Sequence, residues 1–304
     1  AGADMNLINN EGRAPIHYAA RRGHIDVVKL LIERGANVNT TSGFGNAPID
    51  LALPNPSPDM ADLLIAAGAK LADTPQNAIA RITVAAQKNW TPIVEEILNQ
   101  AKRRPQLVQR LLDAAFDSAI GPRHEALLLL VSAHERNISP RTAVGFSRLY
   151  QACSIGAEEL AREFVRRGAD VNDTIQPSGW TPLHGAVLGG GLNIVTMLLQ
   201  NGANPNAQDG LGRTPLHLVA SERRPFLVPA LVKGNANLDA TDAFGRTPMH
   251  YAATLGNRSV VEALLKAGAA PDTADKDGIT PYVAAELNAH FDITAILPKP
   301  IPVE

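Results

Sequence analysis

The chain has 304 residues, of which 45% are hydrophobic and 19% charged, an ordinary composition for a folded protein. Aromatic residues are only 4% and the formal net charge is −2, which excludes large aromatic-centred cores and recruitment of a nucleic-acid backbone by bulk charge. A single cysteine, Cys153, excludes an intrachain disulfide, and no run of 18 apolar residues exists to cross a membrane as a helix.

The first residues, Gly2-Ala3-Asp4-Met5-Asn6, follow no charged-then-apolar leader pattern. Residues 7–70 carry two copies of one pattern. Ala14-Pro15-Ile16-His17 opens a short helix, because a proline at the first helical position gives up no hydrogen bond. Ala19-Ala20 lets a neighbouring helix approach closely, and Gly23-His24 turns the chain. Ile25, Val27, Val28, Leu30 and Leu31 recur at helical spacing, and Gly35 is placed to end that second helix. Ala47-Pro48-Ile49-Asp50 repeats the opening 33 residues later. Pro54-Asn55-Pro56-Ser57-Pro58 then forces a stiff loop before the copy closes at Gly68.

Residues 71–144 keep only the spacing. Thr74-Pro75 sits too early to serve as the helix opening. One helix runs from Pro92 through Ile93, Ile97 and Leu98 to about Lys102, where Pro105 interrupts the pattern. Leu107, Leu111, Leu112 and Ala115 mark the next helix, extended at its N-terminal end. Pro122 stands where a turn glycine belongs, and Leu127 to Val131 reads as a buried helical segment. The stretch reads as drifted repeats without tips, or as a bend or gap where a partner docks.

The pattern returns over residues 145–297. Thr181-Pro182-Leu183-His184, Thr214-Pro215-Leu216-His217, Thr247-Pro248-Met249-His250 and Thr280-Pro281-Tyr282 place their prolines 33 residues apart. Turn glycines fall at Gly156, Gly190 and Gly256, and closing glycines at Gly168, Gly202, Gly234 and Gly268. The last copy has Ala289 at the turn and stops at Leu297, ahead of Pro298, Pro300 and Pro302. Stepping by 33 or 34 picks out Ile16, Ile49, Ile82, Ala115, Leu149, Leu183, Leu216, Met249 and Tyr282, which makes nine repeats.

Thr-Pro-Leu-His, Ala-Ala, Gly23-His24 and Gly35-Ala36-Asn37-Val38-Asn39 at this period resemble the ankyrin repeat. The resemblance is strong over 7–70 and 145–297 and rests on spacing alone over 71–144. It implies an all-α solenoid of about nine helix-turn-helix repeats with short β-hairpin tips, forming a single domain over 1–304. Residues 1–6 then read as the end of a truncated preceding repeat, and 298–304 as a tail. It also implies that His17, His184, His217 and His250 brace the first helix of their repeats through nearby backbone and the threonine hydroxyl, a structural role.

The expected function is a non-catalytic protein–protein interaction module or scaffold that takes a protein or peptide on its concave face, where the family makes contacts from the tips and the first helices. Repeats six to eight place Trp180, Leu188, Leu211, Phe244 and Leu255 there, flanked by Arg213 and Arg246. Tryptophan and arginine are enriched at binding hot spots, and turn chemistry does not call for an aromatic at a tip. Phe44, Arg21 and Arg22 hold corresponding positions nearer the N-terminus, and Leu287/Asn288 ends the last first helix. The alternative for Trp180 and Phe244 is packing against neighbouring tips.

No phosphate-binding glycine motif, cofactor motif or metal-ligand set is present, and no catalytic residue is assigned. Cys153 takes a small buried position. The basic runs Lys102-Arg103-Arg104, Arg166-Arg167 and Arg223-Arg224 read as solvated faces or helix-end charges. Expected partners are proteins or peptides, with neither nucleic acid nor membrane. The chain is expected inside the cell, in cytoplasm or nucleus, as a monomer or as part of a larger chain. Two other readings stand beside this one. The chain is the sensor or substrate-targeting segment of a larger, catalytic protein, or it is an enzyme whose pocket draws on Asp117, His124, Glu125 and His134.

Overall fold

The computed structural model describes residues 3–71, 73–121, 124–134 and 147–299. Two compact units emerge, Ala1–Asn137 and Ile138–Glu304. The first contains α1 (Pro15–Arg22), α2 (Ile25–Glu33), α3 (Pro48–Ala52), α4 (Asp59–Ala66), α5 (Pro75–Gln87), α6 (Thr91–Ala101), α7 (Pro105–Ile120) and α8 (Glu125–His134). The second contains α9 (Arg148–Ile155), α10 (Glu158–Arg166), α11 (Pro182–Gly189), α12 (Leu192–Gln200), α13 (Pro215–Ser221), α14 (Val228–Lys233, preceded by a 3-10 turn at Pro225–Leu227), α15 (Pro248–Thr254), α16 (Arg258–Ala267), α17 (Pro281–Leu287) and α18 (Phe291–Thr294). Among the described residues every element is helical. The expected β-hairpin tips are tight turns instead, with an isolated antiparallel bridge between Ile175 and Trp180. Each tip is too short to pair more than once: Asp242 N–H bonds the Arg246 carbonyl at 3.0 Å and Gly245 N–H turns back on Asp242.

Each regular repeat starts from the same local chemistry. Thr181, Thr214, Thr247 and Thr280 take extended backbone just before a proline that opens the helix. The helix then stops on a left-handed residue, at Gly23, Gly156 and Gly190. Three repeats place a side chain there: Asn89, Arg223 and Ala289 have φ of 57°, 57° and 59°. Such a residue costs about 1–2 kcal/mol, so the surrounding packing must enforce it. Gly234, expected to close its helix in this conformation, does not: its φ is −82° and Asn235 takes the left-handed place at 67°. A Cβ at Gly234 would lie 2.8 Å from the Leu199 side chain, which would have to shift to admit it.

The four repeat histidines are fully buried. In repeats six to eight Nδ1 accepts the backbone N–H of Thr181, Thr214 or Thr247 at 3.2, 3.1 and 3.0 Å, with the same threonine hydroxyl at 2.9–3.0 Å. That leaves the proton on Nε2, which donates to the carbonyl of the residue 29 positions on: Arg213, Arg246 or Ile279. His17 does the same from Ala14 to Asn46. A second ladder uses asparagine. Asn6, Asn39, Asn172 and Asn206 each donate to a carbonyl at the end of the next repeat's second helix and accept an N–H two residues beyond it. A third ladder joins tips, as Gly210, Ala243 and Lys276 donate N–H to the carbonyls of Ser178, Leu211 and Phe244.

In the divergent stretch Thr74-Pro75 does open a helix: the Thr74 hydroxyl accepts the Asn77 N–H at 3.1 Å. The expectation that this pair is out of place is corrected by helix length. The first helix α5 has 13 residues and α7 has 16, against 8 in α1 and α11. Extra helical turns replace the tips, and with them goes the carbonyl that a repeat histidine would bond. Asp50 replaces that histidine and still accepts Ala47 N–H at 2.8 Å. Arg81, at the place of the regular proline, is 1% exposed and donates Nε and Nη2 to Asp50 at 2.7 and 3.0 Å and Nη1 to Asp73 at 2.7 Å.

Removing one member of this pair strands a buried charge. Arg81→Ala should lower the unfolding free energy of the first unit by about 3 kcal/mol. Asp50→Ala/Arg81→Ala should lose clearly less than the sum of the single losses in a urea denaturation cycle. Additive losses would mean that the two do not act as a pair. In the second unit burial depresses the pKa of His184, His217 and His250 below the ordinary 6.5. The unfolded chain therefore takes up protons first, and the stability these residues give is complete above 6.5 and is lost as pH falls through their lower folded values. Thermal melting between about pH 7.5 and 5 should show a falling Tm; a flat profile across that window would contradict it.

Candidate functional site

Tip chemistry in repeats seven and eight fixes two arginines. Asp242 is buried, with Oδ1 accepting the backbone N–H of Phe244 and Arg246 at 2.8 and 2.9 Å. Its Oδ2 accepts Arg246 Nε and Nη2 at 3.0 and 2.8 Å and the Tyr251 hydroxyl at 2.9 Å. Asp209 repeats the arrangement with Leu211, Arg213 and, in place of the tyrosine, the Trp180 indole N–H at 3.1 Å. Burial works against both carboxylates, but the arginine and backbone hydrogen bonds outweigh it and hold their pKa below the ordinary value. Burial and then the bond to Asp242 push the Tyr251 hydroxyl up to about 12, so it stays a donor at neutral pH. The Arg246 guanidinium stacks 4.8 Å from the Phe244 ring centre and 4.9 Å from that of Tyr251.

The sequence-derived residues divide by exposure. Leu211, Phe244 and Leu255 are 50%, 55% and 42% exposed. Leu211 and Phe244 occupy successive tips joined by the bond from Ala243 N–H to Leu211 carbonyl, 3.0 Å. A Cβ on Gly212 would lie 2.8 Å from Ala243 N, so this close stacking needs a glycine. Trp180 is only half-buried-to-half-open: it is tied to Asp209, and its ring lies 6.2 Å from Tyr150. Tyr150 occupies the repeat-histidine position and fills the notch left by Gly185, where a Cβ would come within 3.0 Å of the tyrosine. Trp180 thus packs within the tip row, the alternative the sequence left open. Leu188 is half-buried, and its carbonyl accepts Arg224 at 2.7 Å.

Arg223-Arg224 reaches in both directions along the array. Arg223 donates to the carbonyl of Leu255 in the following repeat, as Arg224 does to Leu188 in the preceding one. Both cap the carboxyl ends of first helices, where positive charge is favoured. In the first unit Phe44 is 70% exposed with Arg13 5.6 Å from its ring centre, and Arg21 and Arg22 are exposed at the end of α1. Sequence reasoning missed Tyr251, Asp209 and Asp242, although an aspartate three residues before each tip glycine recurs at 33-residue spacing. It also missed Phe226 and Phe291, which are 52% and 67% exposed.

Asp117 lies on α7, and His124 and Glu125 at the start of α8, all half-buried; the His134 side chain lies outside the described residues. A cavity of about 500 Å³ in the first unit is lined by Pro75, Arg104, Pro105, Gln106, Leu107 and Arg110, and so draws on none of them. Among the described residues no three His, Cys, Asp or Glu side chains gather as a metal ion requires, and no helix is long and apolar enough to cross a membrane. Cys153 is fully buried, and burial pushes its thiol pKa up, away from the thiolate a nucleophile needs.

The sequence profile of ankyrin repeats matches residues 1–75, 84–209 and 201–277. An ankyrin repeat protein of Acanthamoeba polyphaga mimivirus is 25% identical over 226 residues, 71% of this chain and 25% of its own length. Rabankyrin-5 of Mus musculus is 32% identical over 122 residues, 36% of this chain and 10% of its own length. The 2-5A-dependent ribonuclease of Mus musculus is 40% identical over 78 residues, 25% of this chain and 11% of its own length. The chain therefore spans a quarter or less of each of these relatives. Such repeats generally mediate protein–protein interaction and are typically non-catalytic. With three profile matches covering most of the sequence on a helix-turn-helix period of 33 residues, the chain belongs to the ankyrin-repeat family.

Proposed function

We propose that the chain is a non-catalytic interaction module that holds a protein or peptide partner against the tips and first helices of repeats six to eight. The observation that carries this reading is the pair of large apolar side chains on successive tips, Leu211 and Phe244, each at least half exposed. Neither is needed by the turn that carries it, because the turn geometry comes from Asp209 and Asp242 and from the tip glycines. Apolar groups left on adjacent tips beside fixed arginines have the composition of an interface core within a polar rim. Trp180 contributes by shaping the tip row rather than as a free anchor. A lone buried cysteine fits an intracellular setting, cytoplasmic or nuclear.

A second reading has its own support. Similarity to a ribonuclease over 11% of that enzyme's length shows repeats of this kind residing within a catalytic protein. In that setting the module would sense or target on behalf of a domain elsewhere in a longer chain. The full open reading frame decides between the two: an encoded catalytic domain favours this second reading, and none favours the first.

Affinity capture from lysate with the chain as bait, against Leu211→Ala/Phe244→Ala as control, tests the location. Each substitution should cost about 2 kcal/mol of binding while the melting temperature stays nearly unchanged. Partners recovered equally by both baits would remove repeats six to eight as the site.

A further inference from the structure

We propose that the tip row of repeats seven and eight recognises an extended peptide segment in which acidic residues alternate with apolar ones. The proposal rests on the reading that Leu211 and Phe244 lie within a partner's footprint.

The argument begins with what the tip aspartates do to the surface. In an ordinary surface ion pair both charges face water and largely cancel for an incoming group. Here the carboxylates lie beneath their arginines: the side chains of Asp209 and Asp242 are 1% and 0% exposed, against 22% and 39% for Arg213 and Arg246. A partner therefore meets guanidinium edges and not the carboxylates that neutralise them. Asp209 and Asp242 engage only Nε and Nη2. Among the described residues the Nη1 groups of both arginines meet no acceptor, so each keeps two N–H donors for a ligand.

Those donors are held in place before anything binds. Arg246 is fixed by the Asp242 bonds, by its bond to the Tyr251 hydroxyl at 3.0 Å and by contact with the rings of Phe244 and Tyr251. Arg213 is fixed by Asp209, which also receives the Trp180 indole. A ligand then has little side-chain entropy to remove on binding, the condition under which charge-assisted hydrogen bonds add most affinity. Carboxylate is the protein group whose oxygens match a planar guanidinium.

The apolar half of the pattern comes from the same tips. Leu211 stands two residues before Arg213, and Phe244 two before Arg246, so each tip offers one apolar surface and one donor edge. Backbone bonds from Gly210, Ala243 and Lys276 hold the successive tips in one row. Lys276 adds an exposed cation at the next tip, with its Nζ on the Ala243 carbonyl, and Asp277 beside it marks where attraction for acid ends. Glu222, exposed beyond the end of α13, bounds the row on the helix side. Repeat six, with Trp180 in the arginine position, offers no such donor.

A random dodecapeptide library displayed on phage and panned against the whole 304-residue chain tests this, followed by fluorescence polarisation with a synthetic copy of the most enriched peptide. The expected pool is rich in Asp and Glu interleaved with apolar residues. Binding of the synthetic peptide should weaken by about tenfold or more in Arg213→Gln/Arg246→Gln, and it should weaken as sodium chloride is raised. Leu211→Ala/Phe244→Ala should weaken it as well. A neutral or basic pool, no enrichment, or binding indifferent to salt would overturn the proposal. So would unchanged affinity in the arginine variant. If the arginine variant binds normally and Leu211→Ala/Phe244→Ala does not, the apolar docking reading survives and only the acidic partner is lost. Indifference to both variants removes both. Should Arg213→Gln/Arg246→Gln fail to fold, Arg213→Lys/Arg246→Lys retains charge over each aspartate but lacks the planar fork, and it must still weaken the peptide.

Discussion

Within each unit the fold depends on a hydrogen bond made between repeats rather than within one. The repeat histidine uses one ring nitrogen to hold the start of its own helix and the other to reach the tip of the next repeat. Because Nδ1 is committed as an acceptor, the proton on Nε2 is fixed, and the ring is a one-way strut. The asparagine ladder does equivalent work at the far end of each repeat, with the amide donating and accepting across the same step. Stacking register is therefore set by directional bonds at both ends, with apolar contact between helices in the middle. That division lets small Ala pairs and short helices suffice where a globular domain would need a large core.

Where the strut fails, the substitutions are paired. Loss of the tip in repeat three removes the carbonyl that His would bond, and Asp50 stands in place of His with Arg81 supplying the donors. The hydrogen-bonding polarity is inverted and the connection kept. In repeat five a tyrosine takes the histidine place, and a glycine in the first helix of the next repeat, Gly185, accommodates its ring. Neither change is drift in isolation. Each residue is explicable only with its partner one repeat away.

The same strut couples the fold to the proposed binding face. His184 and His217 bond the backbone carbonyls of Arg213 and Arg246, the residues whose side chains the proposal turns toward a partner. Asp209 and Asp242 hold those side chains and the turn together. A surface built this way is rigid because its residues are also scaffold residues, and its exposed apolar groups are those the scaffold leaves unused. Tip residues such as Leu211 and Phe244 are then free to specify a partner without altering the stack.

The period, the helix openings, the histidine positions and the missing tips of the divergent stretch were all legible in the amino-acid sequence, since each depends on chemistry within a few residues and recurs at fixed spacing. Exposed Leu211 and Phe244 were legible for the same reason, as tips with no turn preference for them. What depends on a second repeat was not. Thr74-Pro75 reads as misplaced until α5 proves long enough to absorb it, and Gly234 reads as the left-handed residue although Asn235 takes that conformation and Gly234 packs against Leu199 of the preceding repeat. Trp180 reads as an anchor in one dimension and as part of the tip row in three, because the group that claims its N–H lies 29 residues away. The sequence by itself determined the repeating unit. Only the tertiary structure decided which polar groups meet across the repeat step, and hence which arginine edges and apolar side chains are left exposed.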